Sequence, residues 1–356
     1  MRSSKGEELL LKRILVASGA MLLAASATIA PAAAAPARAS VTLTGAGSTF
    51  DQPFFTKAFD VYGGPHGVSV NYQPVGSGAG IQLFIAKQVD FGASDVPMDP
   101  SSDLQKATAA GGAVEQIPIA LGGVAIAYNV PGVKTGLHLT GQALADIYDG
   151  IITKWNDKSI KKLNPKVKLP ATDIVVAHRS DSSGTSYAFT DYLSKVDDTW
   201  RGKVGVSKLP NWPVGVGGKG NAGVAAVVEG QPGSIGYVEL AYVLQNHMKM
   251  AAIRNRKGAY LTPTLKSVAA DAAAFPTISA RKFSIADGNS KTAYPIATFS
   301  WVLAYRHQTD SAKGKALSKL LQWTATTGQK YAAGLDYAPL PKKVQALAVS
   351  QIKLIK

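Results

Sequence analysis

Three loops in the sequence combine glycine with hydroxyl-bearing residues, and each lies between a strand-like apolar run and a helical pattern. They span residues 45–50, 76–80 and 179–186. At such a junction the free N–H groups of the helix start and nearby hydroxyls point at one place, which suits an anion. One loop taken alone is better explained as a helix N-cap in a tight turn. Three in one chain, one of them beginning with Arg179, favour an anion-binding site.

Nucleotide-binding motifs do not fit these loops. Residues 45–50 and 76–80 lack the third glycine of a dinucleotide fingerprint. Lys219 has Pro213 where a Walker motif requires glycine, and Gly220 follows it where that motif requires serine or threonine. The pattern therefore indicates a phosphate-sized anion rather than a nucleotide.

Asp95 follows the apolar run 89–93, at the strand edge where ligands bind in α/β proteins. A carboxylate repels an anion unless a proton lies between them, so a ligand at this position must carry its own proton. Phosphate carries one, whereas sulfate does not. The alternative is that Asp95 caps the turn before Pro97, and the sequence leaves both interpretations open.

Residue counts exclude several kinds of chemistry. The chain has no cysteine, and its five histidines lack metal-ligand spacing, so we expect no metal, no cofactor and no thiol catalysis. One enzymatic alternative is a secreted phosphohydrolase, with a serine of the loop 179–186 as nucleophile, Arg179 stabilising the transition state and His178 as base. The sequence shows no metal-ligand cluster, and it offers no histidine base beside that loop except His178. We therefore expect a binding protein and not an enzyme.

The first 39 residues have the pattern of a signal peptide. Lys12 and Arg13 precede an apolar stretch at 14–30, and residues 37–39 have the small-x-small form of a cleavage site. A membrane anchor is the alternative, but polar and small residues interrupt the stretch, which falls short of about 20 strongly apolar residues. We predict export, with a mature chain that begins at Ser40 and lies in the periplasm.

The composition is that of an ordinary globular protein with a basic surface. The 356 residues are 46% hydrophobic and 17% charged, and the formal net charge is +15. Residues 1–39 contain five basic and two acidic residues, so their removal leaves +12. The lysines are diffuse and lack interleaved aromatic residues, which argues against nucleic acid as a partner. The charge favours an anionic ligand without choosing one, and it leaves a surface-binding role open.

Apolar runs alternate with helical patterns along the mature chain, which predicts α/β architecture with largely parallel sheets. The predicted strands are 41–44, 68–75, 89–93, 174–177, 234–238 and 296–305, and the predicted helices are 54–62, 81–86, 104–110, 141–148, 185–196, 240–247, 311–324 and 342–352. The apolar run 116–128, interrupted by Gly122 and Gly123, is too long for one strand.

Motifs along nearly the whole mature chain are similar to those of the periplasmic phosphate-binding proteins of high-affinity phosphate ABC transporters. They include Leu43-Thr44-Gly45-Ala46-Gly47, Asn71-Tyr72-Gln73, Ser183-Gly184-Thr185-Ser186, Gly217-Gly218-Lys219-Gly220-Asn221, Gly236-Tyr237-Val238-Glu239 and Leu335-Asp336-Tyr337-Ala338. The resemblance implies a type II periplasmic-binding-protein fold, with two lobes, two chain crossings and the ligand in the cleft. It divides the chain into lobe I, at 40–121 plus 299–356, and lobe II, at 122–298.

The resemblance also implies the ligand contacts, position by position. They are Thr49, Phe50 through its backbone N–H, Ser77, Asp95, Arg179, Ser183, Gly184 and Thr185. From its position two residues after Arg179, we expect Asp181 to hold that guanidinium in place. Ser48 departs from the family pattern, in which alanine is frequent, and we expect it to be peripheral. The implied function is capture of inorganic phosphate by a monomer and its delivery to the membrane permease of an ABC transporter. A binder of another tetrahedral oxyanion, such as sulfate or molybdate, is the alternative with the same fold.

Overall fold

The computed structural model describes residues 41–356, so the predicted signal peptide, 1–39, lies outside the described residues. The strands are β1 Val41–Gly47, β2 Val68–Gln73, β3 Phe91–Ser94, β4 Val114–Asn129, β5 His138–Leu139, β6 Val175–Arg179, β7 Val216–Gly218, β8 Ser234–Glu239, β9 Lys249–Met250, β10 Ala252–Arg254, β11 Tyr260–Leu261 and β12 Ala297–Tyr305. The helices are α1 Gln52–His66, α2 Ser77–Ile85, α3 Asp103–Gly111, α4 Gly141–Tyr148, α5 Lys158–Leu163, α6 Gly184–Val196, α7 Asp198–Lys203, α8 Gly220–Gly230, α9 Leu240–Gln245, α10 Leu265–Ala273, α11 Ser311–Ala325 and α12 Lys342–Ile352. Among these residues, no helix has the length and apolarity needed to span a membrane.

Nine strands form one mixed sheet, with the order β2-β1-β3-β12-β4-β8-β6-β7 and with β9 paired to β4. β1 is parallel to β2 and β3, and β6 is parallel to β7 and β8. The long strands β12 and β4 are antiparallel to each other and to their other neighbours. The expectation of largely parallel sheets is therefore right for the two outer groups of strands, β1–β3 and β6–β8. It is wrong for the middle of the sheet, where β12 and β4 pair in the antiparallel direction.

The strand β4 corrects the prediction for residues 116–128. Val114–Asn129 is one continuous strand of 16 residues. Its first part pairs with β12 as far as Gly123, and its second part pairs with β8 from Val124 onward. Two neighbours therefore cover the strand in succession, and its length exceeds what either partner could pair alone.

The C-terminal ends of the two strand groups face each other at the middle of β4. At the end of β8, Glu239 lies opposite Val124. From the other side, β3 runs in the same direction as β4, because both are antiparallel to β12. The loops after β1, β2 and β6, which are the three glycine and hydroxyl loops, are therefore brought to one place, each followed by a helix.

A β-bulge interrupts the pairing of β12 with β4 beside this place. Ser300 lies opposite Ala120, whereas Trp301 lies opposite Pro118, so the register shifts between the two positions of β12. Proline has no N–H for the ladder and is tolerated in sheets at such irregularities. Because a bulge changes the direction of neighbouring side chains, the register shift affects the direction of the Ser300 hydroxyl.

Candidate functional site

The residues predicted to contact the ligand form one buried cluster. Thr49, Phe50, Ser77, Asp95, Arg179, Ser183 and Thr185 are each at most 7% exposed. The helices α1, α2 and α6 begin beside the cluster, so their N-terminal N–H groups face it. The structure thus brings together residues from four separate parts of the chain, the three glycine and hydroxyl loops and the end of β3.

Ser77 joins two of these parts. Its Oγ accepts hydrogen bonds from the backbone N–H of Gly184, over 3.1 Å, and from that of Asp95, over 3.3 Å. The Oδ2 of Asp95 lies 3.4 Å from the Oγ1 of Thr185. A carboxylate, two hydroxyls and a helix-start N–H group therefore lie within reach of one small anion.

Arg179 is buried and held by a fork of two hydrogen bonds. Its Nε and Nη2 donate to the two carboxylate oxygens of Asp181 over 2.8 and 2.6 Å, and its Nη1 lies 3.4 Å from the Oγ1 of Thr185. Burial works against ionisation of Asp181, but the bonds and charge of Arg179 outweigh it and hold the pKa of that carboxyl below its usual range. A guanidinium has five N–H donors, so Asp181 fixes Arg179 and leaves donors for an anion.

Thr49 is tied to a residue that the sequence did not single out as a contact. Its Oγ1 accepts from the side-chain amide of Asn221 over 2.9 Å and from the backbone N–H of Asn221 over 3.2 Å. The same amide lies 3.3 Å from the Oγ1 of Thr185. Asn221 is the second residue of α8. It lies in the motif at residues 217–221, which was part of the family resemblance and could have pointed to it.

The backbone of residues 48–50 is anchored by three tyrosines. The hydroxyls of Tyr72 and Tyr242 donate to the carbonyl oxygens of residues 48 and 49, each over 2.7 Å, and the hydroxyl of Tyr337 donates to that of residue 50. With three successive carbonyl groups bound in this way, the loop conformation is firmly set. Tyr72 and Tyr337 lie in motifs of the resemblance, whereas Tyr242 carried no signal.

Ser48 lies inside the cluster, so its expected peripheral role is wrong. Its Oγ donates to the Oδ1 of Asp95 over 2.5 Å and accepts from the backbone N–H of Phe50 over 2.9 Å. The N–H group of Phe50, predicted as a ligand contact, is thus bonded within its own loop in this structure. Ser48 links that loop directly to Asp95.

Of the two interpretations of Asp95 from the sequence, the structure does not support the cap of the turn before Pro97. The turn after β3 is bridged by Ser94, whose Oγ bonds to the backbone of Val96, while the carboxylate of Asp95 bonds to Ser48, Ser300 and Thr185. The N-cap interpretation does hold for one loop residue. The Oγ of Ser183 accepts from the backbone N–H of Ser186 over 3.1 Å.

Two further buried residues belong to the cluster and were missed. Ser300 Oγ bonds to the Oδ1 of Asp95 over 2.8 Å and to the Oδ2 of Asp51 over 2.6 Å. Asp51 immediately follows the first glycine loop, which was a usable signal. Ser300 lies within a fully buried strand and carried none. Burial raises the pKa of Asp95, although Ser48, Ser300 and the charge of Arg179 oppose the rise.

Comparison with known proteins agrees with this fold. The class is set by a family model described as PBP superfamily domain, which matches residues 31–327. The phosphate-binding protein PstS of Xylella fastidiosa is 42% identical over 321 residues, which cover 88% of this chain and 86% of the relative. PstS of Pasteurella multocida is 41% identical over 319 residues, covering 88% and 91%. The chain belongs to the PBP superfamily and, within it, to the family of the PstS phosphate-binding proteins.

Solved structures share the architecture at low sequence identity. A phosphate-binding protein from Stenotrophomonas maltophilia has a TM-score of 0.65 and 19% identity, covering 87% of this chain and 94% of its own. A putative phosphate ABC transporter substrate-binding protein from Clostridium perfringens, with bound phosphate, has a TM-score of 0.60 and 19% identity, covering 84% and 100%. The predicted two-lobed periplasmic-binding-protein fold is thereby confirmed.

Proposed function

We propose that this protein captures inorganic phosphate outside the cytoplasmic membrane and delivers it unchanged to the permease of an ABC transporter. The observation that carries the proposal is the carboxylate of Asp95, an acceptor buried among donors from Thr185, Gly184 and Arg179. A ligand that satisfies this set accepts hydrogen bonds at several oxygens and donates one. Phosphate does so with its own proton, and the relatives named as phosphate-binding proteins support the same ligand.

The eight predicted contacts are proposed as the phosphate ligands: Thr49, Phe50, Ser77, Asp95, Arg179, Ser183, Gly184 and Thr185. Arg179 supplies the positive charge, and charge-assisted hydrogen bonds are the strongest available to an oxyanion. Asp181 holds the guanidinium in one orientation, which lowers the entropy that binding must overcome. Asn221 joins Thr49 and Thr185 from the start of α8.

The proposed lobes are 40–121 plus 299–356 for lobe I and 122–298 for lobe II. The change of partner along β4 after Gly123 supports a crossing at this point. In this division Ser77 and Asp95 belong to lobe I, whereas Arg179 and Gly184 belong to lobe II. Each half of the site is incomplete without the other, so ligand binding is coupled to lobe closure.

Location and partner follow from the N-terminal pattern and the relatives. The predicted signal peptide supports export to the periplasm, and the description of the Clostridium perfringens structure as a transporter substrate-binding protein supports a permease partner. A binding protein that acts as a monomer and hands over one anion requires no cofactor.

A phosphohydrolase receives no support from the contacts of its candidate residues. The ring of His178 stacks on Trp212 with centroids 5.0 Å apart, and its Nδ1 bonds to the carbonyl oxygen of Arg179 over 3.1 Å. Burial lowers the pKa of His178. In the loop itself, the Oγ of Ser186 bonds to the hydroxyl of Tyr237 over 2.6 Å. These groups are engaged in holding the loop in place.

Calorimetric titration of the mature protein, freed of bound anion by unfolding and refolding, tests the proposal. We expect saturable binding of one phosphate per chain and no comparable heat with sulfate or molybdate. A phosphate-ester assay on the same preparation should show no turnover. Binding of sulfate as tightly as phosphate, or many catalytic cycles per molecule, would overturn the proposed function.

A further inference from the structure

Asp51 is a second carboxyl group beneath the anion cluster. It is fully buried, and its Oδ2 bonds to the Oγ of Ser300 over 2.6 Å. Its Oδ1 has no hydrogen-bond partner among residues 41–356. On its other side, Ser300 Oγ lies 2.8 Å from the Oδ1 of Asp95. One serine hydroxyl therefore bridges two buried carboxyl groups.

The number of protons in this bridge restricts its ionisation. A serine hydroxyl has one proton, so Ser300 donates to one carboxyl oxygen and presents a lone pair to the other. If both carboxyls were ionised, that lone pair would face a carboxylate oxygen in a site shielded from water, which is costly. A second proton on one of the carboxyls removes the conflict.

Asp51 is the better place for this proton. Asp95 is surrounded by donors, with the hydroxyls of Ser48 and Thr185 on its oxygens and the charge of Arg179 nearby. Among residues 41–356, the carboxyl group of Asp51 has a hydrogen bond to Ser300 alone. Burial, and next the charge of Asp95, raise the pKa of Asp51 well above its usual range.

We infer that Asp51 is held as a neutral carboxylic acid that donates to Ser300, which in turn donates to Asp95 and keeps that carboxylate ionised. The inference rests on the proposed function, because it names the group that preserves the acceptor on which phosphate recognition depends. Asp51 is thus a positioning residue that acts on the ligand through Ser300 and Asp95. If Asp51 lost its proton, the hydroxyl of Ser300 would donate to Asp51 instead of Asp95. A second negative charge would then lie beneath the anion.

The other titratable groups around Asp51 do not distinguish wild type from the variant in this test. The phenols of Tyr72, Tyr242 and Tyr337 lie close by, and burial is the main cause that raises the pKa of each. Burial also raises the pKa of Glu239, beside Tyr337. Any titration of Glu239 occurs equally in wild type and in variants at residue 51.

The test compares phosphate binding by wild type and Asp51→Asn from about pH 5 to about pH 9. Asparagine imitates the neutral acid, so at the acid end the two affinities should agree within about threefold. Above the pKa of Asp51 the wild-type affinity should fall relative to the variant by up to about tenfold per pH unit. The ionisation of phosphate itself cancels in the ratio. Asp271→Asn, which changes a buried carboxyl outside the cluster, should leave the wild-type profile unchanged.

Difference infrared spectroscopy near pH 7 gives an independent readout without ligand. Wild type minus Asp51→Asn should show the C=O band of a protonated carboxylic acid, and Ser300→Ala should shift that band because its hydrogen-bond acceptor is removed. No acid band at the acid end of the range, or an Asp51→Asn variant that binds phosphate more than about tenfold tighter at every pH, would show that Asp51 is ionised. Absence of phosphate binding by wild type would instead overturn the proposed function and leave the infrared result to decide on Asp51.

Discussion

The backbone N–H of Gly184 donates to the Oγ of Ser77 over 3.1 Å, although 107 positions separate the two residues. A Cβ at residue 184 would lie 2.5 Å from the Cβ of Asp95 and 2.7 Å from the Oγ of Ser77. Only a residue without a side chain allows the two sides of the site to approach this closely. In the proposed division into lobes, closure therefore depends on the absence of a Cβ at residue 184.

Gly184→Ala should prevent full closure and weaken phosphate binding at least about tenfold, which corresponds to about 1.4 kcal/mol. The added methyl group meets atoms of both Asp95 and Ser77, so the closed arrangement has to open to accommodate it. Small-angle scattering should show wild type becoming more compact when phosphate is added, and the variant contracting less.

Gly202→Ala is the matched control for this substitution. Gly202 lies in the helix α7, where an added Cβ meets nothing within 4 Å. This variant should bind and contract like wild type. Identical scattering of wild type with and without phosphate would argue against a closing cleft.

Arg179→Ala should weaken phosphate binding more than any other single side-chain change in the site. It removes the cation from a buried cluster and leaves the carboxylate of Asp181 without the two hydrogen bonds that Arg179 donates. A charged hydrogen bond contributes about 1.5 to 3 kcal/mol, so the loss should exceed about a hundredfold. Calorimetric titration measures it, with the exposed Arg201 changed to alanine as the control. An affinity within a factor of a few of wild type would place the site elsewhere.

Asp95→Asn should admit sulfate while still binding phosphate with altered affinity. The amide oxygen can keep the bonds from Ser48 and Ser300, and the amide nitrogen can then donate to a ligand oxygen. In wild type a bound sulfate would set its oxygen against the carboxylate, so selection rests on repulsion of the wrong ligand. Competition titrations with both anions over a range of pH provide the measurement. A variant that excludes sulfate as completely as wild type would show that selectivity is built in another way.

Glu239→Gln should change how stability depends on pH. Burial raises the pKa of Glu239 well above its ordinary value of 4.5 in the folded protein. Between that value and the raised pKa the folded state holds a proton that the unfolded state lacks, so wild type loses stability as pH rises, by up to about 1.4 kcal/mol per pH unit. Urea unfolding at a series of pH values should show a shallower decline for the variant. The exposed Glu229, changed to glutamine, should leave the wild-type slope in place, and parallel curves for Glu239→Gln would contradict the prediction.

Local patterns in the sequence predicted much of the fold. The helices α4 and α12 begin and end where their apolar spacing indicated, and the three glycine and hydroxyl loops lie at strand-to-helix junctions. These features depend on neighbouring residues, whose periodicity and turn chemistry are visible in one segment. The length of β4 was mispredicted because it depends on two partner strands that are remote in sequence.

The residue types of the anion cluster were determined by the sequence itself: a buried arginine, a carboxylate at a strand end, and helix starts rich in hydroxyls. The tertiary structure alone decided how these groups share their hydrogen bonds. Ser300 reaches Asp51 across 249 positions, and Asn221 reaches Thr49 across 172. A side chain in a buried strand carries no local sign of its partners, since register, bulge and strand order together decide which atoms meet. For this reason the ligand class follows from the sequence, whereas the inferred proton on Asp51 follows only from the folded arrangement.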